Sequence, residues 1–294
     1  MNINNNMRVK KMSKNKNLIW HYTSDDILAK LLTGKISLAA TQYSFLNDKV
    51  EVKEGYAVLE EYLSSHPTIK SMFPKSFWMK SKDVQELEPI FMLCFSKKGD
   101  DLYQWRSYTP KGGYSLGIDK KAMLKELEKH LKDLYNSVTK IPFKKYSLFV
   151  AMSPKDKGKT ASDVIYMTGP CVYEKRKKEQ MLNILFNLKD RKLIKLLAYA
   201  IPLFFKEKSF SPENEERLLI ISPALVQKGM DYIGEKLRVN TFLKEDVLYK
   251  LLDQVFLSPH GDERTKLNMI SLLKEKHPSL ANLEIHKSSS AYRG

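Results

Sequence analysis

The chain has 294 residues, 43% of them hydrophobic, and carries 50 basic against 34 acidic side chains for a formal net charge of +16. That length and apolar content exclude a globally disordered chain and suit a globular protein of one or two domains. The basic excess favours polyanionic partners, nucleic acid or an anionic cofactor, and says little about fold.

Arg8, Lys10, Lys11, Lys14 and Lys16 alternate with asparagines, and no acid precedes Asp25. With almost nothing apolar to bury, residues 1–17 are predicted to form a disordered basic arm, leaving 18–294 as a single domain. The arm lacks an apolar signal core and no window approaches membrane-spanning length, so no membrane association is expected and the cytoplasm is the expected location. Cys94 and Cys171 lie far apart in apolar or strand-like settings, which predicts reduced core thiols; two cysteines alone do not make a zinc site.

Leu18-Ile19-Trp20-His21-Tyr22-Thr23 reads as a strand that leaves His21 at a corner, with Ser24 as N-cap of a helix in which Ile27, Leu28, Leu31 and Leu32 recur before Gly34. Ile36-Ser37-Leu38-Ala39 then leads to a polar corner at Asn47-Asp48 and an amphipathic stretch from about Val52 to Leu63; residues 64–89 look irregular. Phe91–Ser96 is an apolar run of buried-strand type, and Tyr114–Ile118 alternates as a strand should. Between them, the spacing of Trp105 and Tyr108 puts both rings on one face if the piece is helical. Met123, Leu124, Leu127, Leu131 and Leu134 mark an amphipathic helix, residues 145–174 look strand-rich, and Lys177–Tyr199 reads as one long helix. Strands at Arg217–Ile221, Val255–Leu257 and Leu283–His286 and a helix near 263–276 complete an α+β pattern. Gly158-Lys159-Thr160 imitates a phosphate loop, yet Ser153 stands where the first glycine is needed and a strand-like Val164-Ile165-Tyr166 follows.

In Glu213-Asn214-Glu215-Glu216-Arg217 the first, third and fifth positions share a face if the segment is extended, bringing two carboxylates and a guanidinium together. The bland readings stand beside these: a cross-strand ion ladder at Glu213, Glu215 and Arg217, core packing for Trp105 and Tyr108, and an ordinary turn at Asn47-Asp48.

Taken in order, Phe45-Leu46-Asn47-Asp48 with Glu51, Cys94-Phe95-Ser96 with Trp105 and Tyr108, Gly113, Phe210 with Glu213, Glu215 and Arg217, Leu257-Ser258-Pro259, and Ser288 with Tyr292-Arg293 resemble the bacterial family DUF2971. The chain departs from the pattern at Ala291, where proline is expected, and at Ser258, where glycine is expected. The resemblance runs through residues 18–294 and implies a bacterial cytoplasmic protein, with phage defence as the expected setting. It supplies no activity.

A second resemblance concerns the opening strand alone, which is similar to the first strand of ADP-ribosyltransferases of the His-Tyr-Glu type. It implies an ADP-ribosyltransferase-like fold with a split mixed or antiparallel sheet flanked by helices, and NAD held by His21 with the neighbouring Tyr22 and Thr23. Tyr108 or Trp105 is then expected to stack on the base, and Asn47, Arg217 or Arg293 to bind phosphates or orient carboxylates. Cleavage of the nicotinamide bond builds positive charge on the ribose, so a fixed carboxylate is required; Glu215 is the candidate, with Glu213 in support and His21 beside them. Two other readings are a non-catalytic nucleic-acid-binding module using the basic surface, and a metal-dependent nuclease gathering Asp48, Glu51, Glu213 and Glu215 around a hard cation. No metal is expected under the first reading.

Overall fold

The structure, a computed structural model, describes residues 17–33, 37–45, 49–73, 90–134, 139–143, 148–152, 165–221, 230–233 and 236–290. It is an α+β protein built on one open mixed sheet. The first half supplies β1 (Leu18–Thr23), β2 (Ala39–Gln42), β3 (Ile90–Ser96) and β4 (Tyr114–Asp119). Strands β5 (Thr139–Phe143), β6 (Leu148–Met152) and β7 (Ile165–Pro170) follow as a meander, then β8 (Glu215–Ile221), β9 (Met230–Ile233), β10 (Lys236–Asn240), β11 (Leu252–Leu257) and β12 (Glu284–Lys287). Nine of them run in the order β12-β11-β4-β1-β3-β8-β7-β6-β5; among the described strands β11 and β12 alone pair in parallel.

The order contains a fork at β3. Its C-terminal end pairs with β1 through Trp20 opposite Ser96, and its N-terminal end pairs with β2 through Thr41 opposite Met92 and Gln42 opposite Phe91. Between those contacts the edge of β3 at Leu93–Phe95 has no strand neighbour among the described residues, and β2 continues outward into β10 and β9. On its other edge β3 pairs with β8 along its whole length.

Helices cover both faces. One core holds Leu28 and Leu31 of α1 (Asp25–Leu32), together with Phe91, Phe95, Leu218 and Ile220 from the sheet. The other holds Met92, Leu219 and Ile221 against α2 (Lys49–Ser64). Strand alternation explains this partition, because β3 and β8 are buried on both sides and their odd and even positions feed different cores. A fully buried leucine or phenylalanine in either core contributes about 1.5–3 kcal/mol.

The elements follow the sequence pattern with four corrections. His21 sits inside β1 rather than at its corner; the corner is Ser24, whose Oγ accepts from Ile27 N at 3.4 Å. A short helix, α3 (Pro67–Lys70), interrupts the stretch read as irregular. The long helix expected over Lys177–Tyr199 is two helices on either side of Asn187–Asp190. Glu213 ends a 3-10 turn (Lys208–Glu213), and Asn214 adopts φ 46, so the extended stretch begins only at Glu215. Ile165 does open a strand, as expected after the false phosphate loop, whose residues 153–164 lie outside the described residues. Cys94 and Cys171 are not joined in a disulfide.

Candidate functional site

A cleft of about 520 Å³ lies at the fork, a size suited to a small-molecule ligand. His21, Tyr22 and Thr23 from β1, Thr41 from β2, Cys94 from β3, Tyr108, Glu213, Glu215, Arg217 and Arg238 all line it. Because His21, Leu93 and Phe95 belong to one side of the sheet by alternation and Cys94, Glu215 and Arg217 to the other, the cleft passes through the fork rather than lying on one face. The missing strand neighbour is what opens it.

His21 occupies the gap. Its Nδ1 donates to the Cys94 carbonyl at 3.2 Å, a group that the fork leaves without a β1 partner, and its ring packs edge-on to Phe95 with centroids 5.9 Å apart. Exclusion of water lowers the pKa of the ring; the bond to Cys94 opposes this and the charge of Arg238 adds to it. The neutral ring carries its proton on Nδ1, since a carbonyl only accepts, and Nε2 is left as an acceptor.

The carboxylates stand on the other side of Cys94. Glu215 begins β8 opposite Ser96, and Arg217 lies opposite Cys94. Arg217 Nε donates to Glu215 Oε1 at 2.7 Å and Nη2 to Oε2 at 3.0 Å, while Nη1 donates to the Leu203 carbonyl. Lys206 Nζ donates to Glu215 Oε2 at 2.7 Å and also to Glu213 Oε2. Burial alone would raise the Glu215 pKa, but Arg217, by charge and hydrogen bond, with Lys206 and the Cys94 thiol, holds the carboxyl well below its usual range. A carboxylate held so firmly ionised is a poor proton acceptor and a good fixed negative charge.

Glu213 reaches the same place in spite of its 3-10 turn. Ser96 Oγ donates to its carbonyl at 2.9 Å, Tyr103 OH approaches its Oε1 at 3.4 Å, and Lys206 ties its side chain to Glu215. Phe210 lies over the Lys206 ammonium, 5.1 Å from centroid to Nζ. Glu216, the intervening residue, points to the opposite side and pairs with Lys120.

Trp105 and Tyr108 share α4 (Leu102–Tyr108) but part company, and of the two rings Tyr108 is the one that faces the cleft. Trp105 is 0% exposed, packs edge-on against Tyr22 and donates Nε1 to Asp100 at 2.7 Å, so it supports the cleft from beneath. Tyr108 is 47% exposed and lines the cleft. Tyr22 OH is spent on the Lys98 carbonyl at 2.9 Å. Gly113, which precedes β4 (Tyr114–Asp119), is required by close approach: a Cβ there would stand 2.2 Å from the Thr23 carbonyl.

Asn47, Asp48 and Arg293 lie outside the described residues, as does the side chain of Glu51. Among the described residues no group of three or more His, Cys, Asp or Glu is placed to hold a metal ion, and no helix is long and apolar enough to cross a membrane. Lys206, Arg238 and Thr41 also line the cleft and were not singled out from the sequence.

Fold and site together define an α+β protein with a split mixed sheet and a cleft carrying two buried carboxylates clamped by cations. Residues 104–218 match the family model described as "Protein of unknown function (DUF2971)", the family that the landmarks of the sequence resemble. The matched segment contains Tyr108, Lys206, Glu213, Glu215 and Arg217 but not His21. No curated protein and no solved structure matches the chain.

Proposed function

We propose that the cleft binds NAD and that the protein transfers ADP-ribose from it to an acceptor. The observation that carries this reading is the convergence of His21, Tyr108 and Glu215 on one cavity at the split of the sheet. NAD supplies an activated ribose, bonded to nicotinamide as leaving group. Tyr108 offers a half-exposed ring for stacking, and His21 Nε2 offers an acceptor for a ribose hydroxyl.

The role of Glu215 follows from its ionisation. Its four acceptor positions meet two donors from Arg217, one from Lys206 and one from the Cys94 thiol. The thiol is the weakest donor, so a ribose hydroxyl displaces it, and the carboxylate then stands as negative charge beside the ribose while positive charge grows there. The bond from ribose C1′ to the nicotinamide nitrogen breaks and neutral nicotinamide leaves with the electron pair, an acceptor oxygen or nitrogen bonds to C1′, and the proton that the acceptor loses passes to water rather than to Glu215.

The acceptor we assign to a polyanion, nucleic acid, since a chain of charge +16 attracts one at moderate salt. Nicotinamide release from NAD, measured with RNA, with DNA and without either, tests the reading. Glu215→Gln keeps the shape and removes the charge, and is expected to slow release by about 10²–10³-fold. NAD left intact by the wild-type chain under all three conditions sinks the proposal.

A further inference from the structure

Arg238 differs from the other cations of the cleft. Arg217 and Lys206 spend their donors on Glu213, Glu215 and the Leu203 carbonyl. The Nε of Arg238 is buried and has no hydrogen-bond partner among the described residues. A desolvated guanidinium donor left unmatched is costly unless something else supplies the counter-charge.

Its position is fixed by the sheet. Arg238 stands opposite Thr41 in the β10–β2 pair, and Thr41 stands opposite Met92 in the β2–β3 pair. Directly paired residues share a face, and Cys94, two residues beyond Met92, shares it too with its partner Arg217. Arg238 and Thr41 therefore flank the fork from the β2 side while Arg217 and Glu215 flank it from the β8 side, and all four line the cleft. Arg238 is also close enough to His21 to disfavour a second proton on that ring.

We infer that Arg238, with the Thr41 hydroxyl, is the anion subsite of the cleft, taking a phosphate or pyrophosphate group of a phosphorylated sugar or nucleotide. The neutral His21 beside it offers an acceptor, which suits a sugar hydroxyl next to the phosphate rather than the phosphate itself. The ligand thus lies with its charged part on the β2 side and the remainder toward Tyr108 and Glu215. Its identity as a nucleotide rests on the NAD reading; the anion subsite does not.

Calorimetric titration of the full chain with ADP-ribose, with inorganic pyrophosphate and with nicotinamide riboside, which lacks phosphate, separates the two. Arg238→Gln is expected to weaken ADP-ribose about tenfold to a hundredfold and to leave nicotinamide riboside unchanged. Arg238→Lys and Thr41→Val are milder changes that keep the test open if Arg238→Gln does not fold, each expected to weaken ADP-ribose several-fold. Pyrophosphate binding that depends on Arg238, without ADP-ribose or NAD binding, keeps the subsite and removes the nucleotide reading. ADP-ribose binding that is equal in wild type and all three variants overturns the subsite and spares that reading. Absence of binding by both phosphate-bearing probes overturns the subsite.

Discussion

Lys206 holds two carboxylates, Glu213 and Glu215, in a setting where all three side chains are less than a tenth exposed. Replacing it by methionine leaves two buried negative charges with Arg217 as the remaining clamp on Glu215. Lys206→Met is expected to cost about 3–5 kcal/mol in urea unfolding, and Glu213→Gln added to it to recover part of the loss, because the second change removes the charge the first one stranded. Strictly additive losses would show that the three do not act as a unit. The carboxylate pair and Arg217 were legible in the sequence as an i, i+2, i+4 pattern, although the left-handed Asn214 breaks the extended geometry that the pattern assumed. Lys206 was not legible, since it follows the apolar run Ile201–Phe205 and nothing in the spacing separates a buried lysine from a solvated one. Arg238 fails for the same reason: between Leu237 and Val239 it reads as the solvent-facing position of an alternating strand.

At the level of elements, α4 carries Tyr103, Gln104, Ser107 and Tyr108 into the cleft, and its entry is held by the loop before it. Asp100 in that loop accepts from Trp105 Nε1 at 2.7 Å, from Ser289 N at 2.7 Å and from Ser289 Oγ at 2.8 Å, with Ser288 close by on its Oδ1. One side chain thus ties the helix that presents Tyr108 to the segment after β12. Asp100→Asn keeps the size and weakens the charge-assisted bonds, so a loss of about 1–2 kcal/mol is expected. Faster amide exchange should be confined to α4 and Ser288–Ser290; uniform acceleration through β3 and β8 would argue against a local tie. Most elements were legible because both cores impose clear periods, as in α1 and β3. The fork was not, because it depends on where β1 and β2 leave β3, and pairing partners are not written in either strand alone. The matched helix-breaking turn at Asn187–Asp190 was hidden by the apolar positions that continue on both sides of it.

For the whole molecule, acid stability depends on the site as well as on net charge. His21 has a folded pKa below its ordinary value of about 6.5, so between those two values the unfolded chain binds the extra proton and the folded chain does not. Stability is therefore full above about pH 6.5 and falls as pH drops toward the folded value. Glu215 and Asp100 have the same sign in a lower window: their folded pKa values are depressed, so their contribution is present above about pH 4 and is lost as pH falls through the folded values. Acid also raises a net charge that already stands at +16, and that repulsion is screened by salt, whereas a proton forced onto an enclosed imidazole next to Arg238 is not. Urea midpoints should then decline in two stages, the first setting in below about pH 6.5 and largely insensitive to salt, the second below about pH 4 and softened by it. His21→Asn retains a donor for the Cys94 carbonyl and carries no titrating group, so it should shrink the first stage to the part due to His130, whose pKa burial also lowers, and leave the second unchanged. A first stage of undiminished size in this variant would mean that His21 takes no part in it, and the neutral acceptor assigned to His21 would lose its basis.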